Sequence, residues 1–118
     1  MKHLKVHGKV SRDFLNEIFS ENVGKIDFSR QYDAGNVTSI TIAGQKYFFR
    51  TKDYIGFIMS SFYDGSVSMV SFGRIGGGSG LFNITWGAGN KVEDKVVEQL
   101  RNRVISDGFT CDVLEDGN

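Results

Sequence analysis

The sequence predicts an α+β domain: a two-layer sandwich in which an antiparallel meander sheet carries an N-terminal and a C-terminal helix packed on one face. Three observations predict it. Apolar and polar residues alternate at period two along most of the chain, the mark of strands. Helical spacing appears only twice, at residues 12–22 and 91–105. Turn residues separate the strands that lie between those stretches, as hairpins require.

Residues 3–10 alternate, with Leu4, Val6 and Val10 on one side and Lys5, His7 and Lys9 on the other. Ser11 then fits an N-cap, and Val10 and Leu15 are placed as a hydrophobic staple. Phe14, Leu15, Ile18 and Phe19 form one helical face over 12–22, with Gly24 as terminator. From Lys25 the period returns to two, and "DAGN" at 33–36 reads as a turn. "VTSITIA" is rich in β-branched residues, and "AGQK" separates it from a further strand, "YFFRT". "YIGFIMSSFY" and "SVSMVSFGRI" flank Asp64-Gly65, a strong hairpin signal. "GLFNITW" reads as another strand. Asn90 and Glu93 have the spacing of a capping box for a helix built on Val92, Val96, Val97, Leu100 and Val104, ended by Gly108. "FTCDVLE" alternates and could add a short strand, and residues 114–118 read as a frayed tail to a single domain spanning 1–118.

"SFGRIGGGSGLFNITWGAGN" carries seven glycines and is the one stretch that suggests a phosphate cradle. A phosphate loop must join a strand to a helix, whose N-terminus holds the anion. "GRIGGGSG" joins strand to strand and lacks a following Lys-Ser/Thr, so residues 73–80 are expected to form a hairpin loop. "WGAGNKVED" does precede a helix, but Glu93 and Asp94 already offset its positive end.

Over residues 54–100 the chain resembles a small bacterial family catalogued only as a domain of unknown function. The cues are the turn at Gly77 to Ser79, the aromatic strand with Phe82, the Trp86-Gly87 step and the helix at Lys91–Leu100, together with the early "HLKVHGKVSRDFLNEIF". The "AGN" before the helix and the longer C-terminal tail depart from that pattern. The resemblance implies the same fold and a bacterial source, and it brings no activity, ligand or catalytic residue.

Composition narrows the function classes. Fourteen basic residues balance fourteen acidic ones, which disfavours nucleic acid and an anionic membrane as partners. One cysteine allows neither an intrachain disulfide nor a Cys-rich zinc site. The opening residues lack the apolar core of a signal peptide, and no apolar run reaches the ~18–20 residues of a membrane span, so a cytoplasmic location is expected. Proline is absent, leaving Gly, Asn and Asp to make the turns.

No catalytic, metal or cofactor constellation emerges. His3 and His7 lie about 13 Å apart along one strand, too far to share a metal ion as a pair. Cys111 reads as a small core residue, and Glu93, Asp94 and Glu98 as a solvated helix face. Arg50, Lys52 and Arg74 could meet Tyr54 and Phe72 near a sheet edge as a single-strand nucleic-acid platform, a minority reading given the neutral chain.

The informative signal is apolar excess. In 54–63, Ile55, Phe57, Met59 and Tyr63 point one way while Tyr54, Ile58 and Phe62 point the other. A half-solvated antiparallel sheet should instead alternate apolar with polar. Two helices, each about 10 Å across, cover about four strands, fewer than the sequence supplies. Tyr47, Phe49, Ile55, Phe57 and Met59 are therefore the candidate interface or ligand residues. The expected function is non-enzymatic self-association, as a homodimer, or protein binding through an apolar sheet face. The alternative is a small apolar ligand held between sheet and helices.

Overall fold

The computed structural model describes residues 1–77 and 90–114. In chain order these form β1 (Lys2–Val6), α1 (Arg12–Asn22), β2 (Lys25–Ala34), β3 (Val37–Phe48), β4 (Asp53–Tyr63), β5 (Ser68–Gly77), α2 (Asn90–Ser106) and β6 (Cys111–Leu114). The fold is α+β, and the described residues form one six-stranded antiparallel sheet in the order β2-β3-β4-β5-β1-β6 and two helices.

The sheet is a meander only from β2 to β5. β1 pairs with β5 on one side and with β6 on the other, so the first strand lies inside the sheet. The first helix is accordingly not N-terminal, because β1 precedes it, and β6 follows the second. Each helix connects strands that are not neighbours. α1 carries the chain from β1 past three strands to β2, and α2 carries it from β5 past β1 to β6.

α1 starts where its sequence dictates. Ser11 has extended backbone and its Oγ accepts from the Phe14 N–H at 3.2 Å, satisfying one of the orphan donors of the first turn. At the other end Asn22 is buried. Its Nδ2 donates to the Ile18 carbonyl and to Gln99 Oε1, both at 2.8 Å, so a single amide closes α1 and ties it to α2. Lys46 Nζ from β3 donates to the Asn22 carbonyl at 2.8 Å. α2 begins at Asn90, and the capping role expected of its side chain falls outside what the structure describes.

The core is one cluster. Leu4 and Val6 of β1, Ile40 and Ile42 of β3, Ile55, Phe57 and Met59 of β4, and Val70 and Phe72 of β5 are each at most 2% exposed. They join Leu15, Ile18 and Phe19 of α1 with Val92, Val96, Leu100 and Val104 of α2. Phe57 and Phe72 stack at 5.4 Å, and Phe19 meets Phe72 edge-on at 6.0 Å. Both geometries suit the ring quadrupole.

Two sequence expectations about β3 and β5 are corrected. "AGQK" does not interrupt β3, which runs unbroken through Gly44. Gly44 serves close approach: a Cβ there would collide with the Lys25 carbonyl and with the Phe19 ring. Residues 73–77 belong to β5, not to a hairpin loop, with Gly73 opposite Ile58 and Gly76 opposite Gly56. Gly73 is buried because Met1 packs where its Cβ would stand, at 3.0 Å. The rest of the expected 73–80 loop, the expected strand "GLFNITW" and most of the 114–118 tail lie outside the described residues. The expected strand in "FTCDVLE" is present as β6.

The β4–β5 turn is built on one carboxylate. Asp64 Oδ1 accepts from the Ser66 and Val67 N–H groups, each at 2.9 Å, and from Ser66 Oγ at 3.1 Å. The Val67 bond above all, then that of Ser66, holds the Asp64 carboxyl below its ordinary range. A lowered native pKa contributes stability above the unfolded pKa and loses it as the pH falls through the native one. Asp64→Ala is therefore expected to be less stable than the native chain at neutral pH, with a gap that closes as acid is added. Urea unfolding across the acid range checks this, and a gap that widens in acid would contradict it.

Candidate docking surface on the outer sheet face

Strand alternation divides the apolar residues between two faces, and register decides which. Ile42, Met59 and Phe72 lie on one rung of the core face. The neighbouring residues point outward and form three rungs that cross the sheet. Phe28, Ala43, Ile58 and Gly73 make the first. Arg30, Thr41, Ser60, Ser71, His3 and Leu114 make the second, and Tyr32, Ser39, Phe62, Met69, Lys5 and Asp112 the third. Beyond the first rung Tyr47 faces Tyr54 across the β3–β4 pair, ring to ring at 5.0 Å.

This outer face exposes large aromatic side chains. Tyr32 is 69% exposed, Tyr54 54%, Phe62 53%, Phe28 42% and Tyr47 39%. Their environment is aromatic and hydroxylic with little charge. The Arg30 guanidinium sits 5.3 Å from the Phe28 ring, and His3 Nδ1 and Ser71 Oγ are 2.7 Å apart in the central rung. Asp112 is the one acid in the three rungs, 3.5 Å from His7 Nε2. The surface is a sheet face, suited to a partner of matching flatness.

The five candidate residues do not form one surface. Ile55, Phe57 and Met59 are fully buried in the core. Tyr47 points the opposite way: it pairs with Tyr54, whereas Ile55 pairs with Lys46. Phe49 lies in the β3–β4 turn, 84% exposed, with its ring edge-on to Tyr47 at 5.3 Å. Across that turn the pairing, not the spacing along the chain, sets the face. Tyr54 and Phe62 were visible in the sequence as the opposite face of β4. Phe28 and Tyr32 were visible as alternation in β2, but nothing there marked which face of the strand joins the core.

The nucleic-acid platform does not assemble. Phe72 is in the core, and Arg74 turns to α2, with its Nη1 3.5 Å from Glu93 Oε2. Arg50 and Lys52 lie in the β3–β4 turn, and Tyr54 alone of that set is on the outer face. Glu93 is likewise not part of a solvated helix face, being 4% exposed. It lies three, four and seven residues before Val96, Val97 and Leu100, on the buried side of α2. Burying one carboxylate is tolerable because Arg74 accompanies it.

Other sites are poorer. A groove of about 340 Å³ between α1 and α2 is lined by Ile18, Glu21, Gln99, Asn102, Arg103 and Ser106, and is open to solvent. Among the described residues no group of three or more His, Cys, Asp or Glu could hold a metal ion. Burial pushes the Cys111 thiol up, which disfavours the thiolate that a nucleophile needs. No helix among the described residues is long and apolar enough to cross a membrane. No family model matches the chain, and neither a curated protein nor a solved structure does.

The Arg74–Glu93 pair makes a direct prediction. Glu93→Ala leaves the Arg74 guanidinium without its buried carboxylate and is expected to cost about 1–3 kcal/mol. Glu98→Ala, on the exposed side of the same helix, should stay within about 0.5 kcal/mol. Chemical denaturation of both variants checks this, and equal losses would show that the pair does not stabilise the fold.

Proposed function

We propose that this chain is a non-catalytic protein-docking domain whose working surface is the outer face of its sheet. One observation carries the reading: Phe28, Tyr32, Tyr47, Tyr54 and Phe62 stand exposed together on one face, while the core behind it is filled without them. Aromatic side chains are enriched where protein surfaces meet, and charge is depleted at the centre of such contacts. The outer face has that composition. Its partner is accordingly another protein with a flat, weakly charged apolar surface.

Topology supports leaving that face free. β1–α1–β2 and β5–α2–β6 are both crossovers between parallel strands, and they run in opposite directions across the sheet from oppositely directed strands. The near-universal right hand of such crossovers, applied to both, supports a placement of both helices on the same face. The aromatic cluster of Phe19, Phe57 and Phe72 fills the space between helices and sheet, so the described residues favour docking over a small apolar ligand held there. A cytoplasmic setting and membership of the small bacterial family noted above belong to the same proposal.

The reading separates the two aromatic sets by their effect on stability. Phe57→Ala should cost about 3–5 kcal/mol, as for a buried ring. Phe62→Ser and Tyr32→Ser should each cost less than about 1 kcal/mol, because the rings are already largely hydrated. Denaturant titration of the three variants at low protein concentration checks this. Outer-face losses that match that of Phe57→Ala would overturn the reading, since those rings would then serve the fold.

A further inference from the structure

Resting on the outer face as a docking surface, we propose that its partner is a second copy of this chain. The two copies pack sheet against sheet about a two-fold axis that runs parallel to the strands, between β4 and β5. Size fits first. About seven residues in each of β2 to β5, with the five of β1 and four of β6, give a face of roughly 600 Å² at ~4.8 by ~3.4 Å per residue, the lower end of the ~600–1,000 Å² per partner of a stable interface.

Charge placement selects the axis. The basic Arg30 lies on β2 at one edge of the sheet, and the acidic Asp112 lies on β6 at the other, next to Lys5 of β1 and 3.5 Å from His7 Nε2. A two-fold axis along the strands exchanges these edges and keeps each rung level. Tyr32 then faces the partner's Asp112 from the same rung, and Arg30 reaches it from the next rung, about 7 Å along the strand. An axis across the strands would instead stack β2 on β2 and set Arg30 against its own copy. Two-fold contacts are self-complementary, so the favourable pairing forms twice.

The centre of the face also fits. β4 lies over the partner's β5, which brings Phe62 onto the partner's Met69, an aromatic ring on a flexible thioether. Ser60 meets the partner's Ser71, so the hydroxyls of the middle rung can bond across the contact and hold the copies in register. Near-parallel strands in the two sheets correspond to the aligned class of sheet packing.

The test is sedimentation equilibrium from micromolar to about 100 μM, with circular dichroism to confirm the fold. The native chain is expected at twice the 13.1 kDa of one copy. Phe62→Lys should be a folded monomer, and Arg30→Glu should raise the dissociation constant at least tenfold. Arg30→Glu combined with Asp112→Arg should restore association. A folded native monomer throughout this range would overturn the second-copy proposal while leaving the outer face as a surface for another protein. A native dimer indifferent to Phe62→Lys would overturn the docking reading itself. A dimer that Phe62→Lys dissociates but the charge exchange does not rescue would overturn the axis.

Discussion

Phe72 sits at the contact on which the rest of the molecule depends. It stacks on Phe57 of the neighbouring strand and receives the edge of Phe19 from α1, which joins helix and sheet through three rings. All three are at most 1% exposed. Aromatic rings bury large apolar areas, and these three join the aliphatic side chains of one core cluster. The outward residues of the same strands are turned away from this core by the alternation of side chains along a strand.

Two polar devices complete that separation. Asn22 and Lys46 close the C-terminal end of α1 with side-chain bonds to α2 and from β3, and Arg74 accompanies Glu93 where β5 meets α2. Every buried side-chain nitrogen and oxygen among the described residues has a hydrogen-bond partner. A core satisfied in this way fixes which face of the sheet points inward, because a one-residue slip would bury hydroxyls and expose the Phe rings. The outer face keeps its aromatic residues without any requirement from the fold, and this is the physical basis for assigning them to a partner.

Local signals made much of this legible in the sequence. Ser11, with Val10 and Leu15 around it, set the start of α1, and Asp64-Gly65 set the hairpin of β4 and β5. Both rest on contacts within a few residues. What failed depended on contacts between distant segments. Gly44 looked like a break because the reason for a glycine there, the approach of Lys25 and Phe19, lies far away in the chain. Glu93 looked solvated because its partner Arg74 lies on another element. Tyr47 and Ile55 lie an even number of residues apart, yet pairing across the turn places them on opposite faces. β1 entered the sheet between β5 and β6, a position that no local pattern encodes. Apolar character on both faces of β4 was readable, and it pointed to an uncovered face while misassigning which residues form it.

Hydroxyl-radical labelling read by mass spectrometry, over a series of protein concentrations, addresses the division into a filled face and an available one. The account predicts that Phe19, Phe57 and Phe72 stay unlabelled throughout. It predicts that Tyr32 and Phe62 are strongly labelled in dilute solution and become protected as concentration rises. Outer rings as protected as the core at the lowest concentration would contradict it.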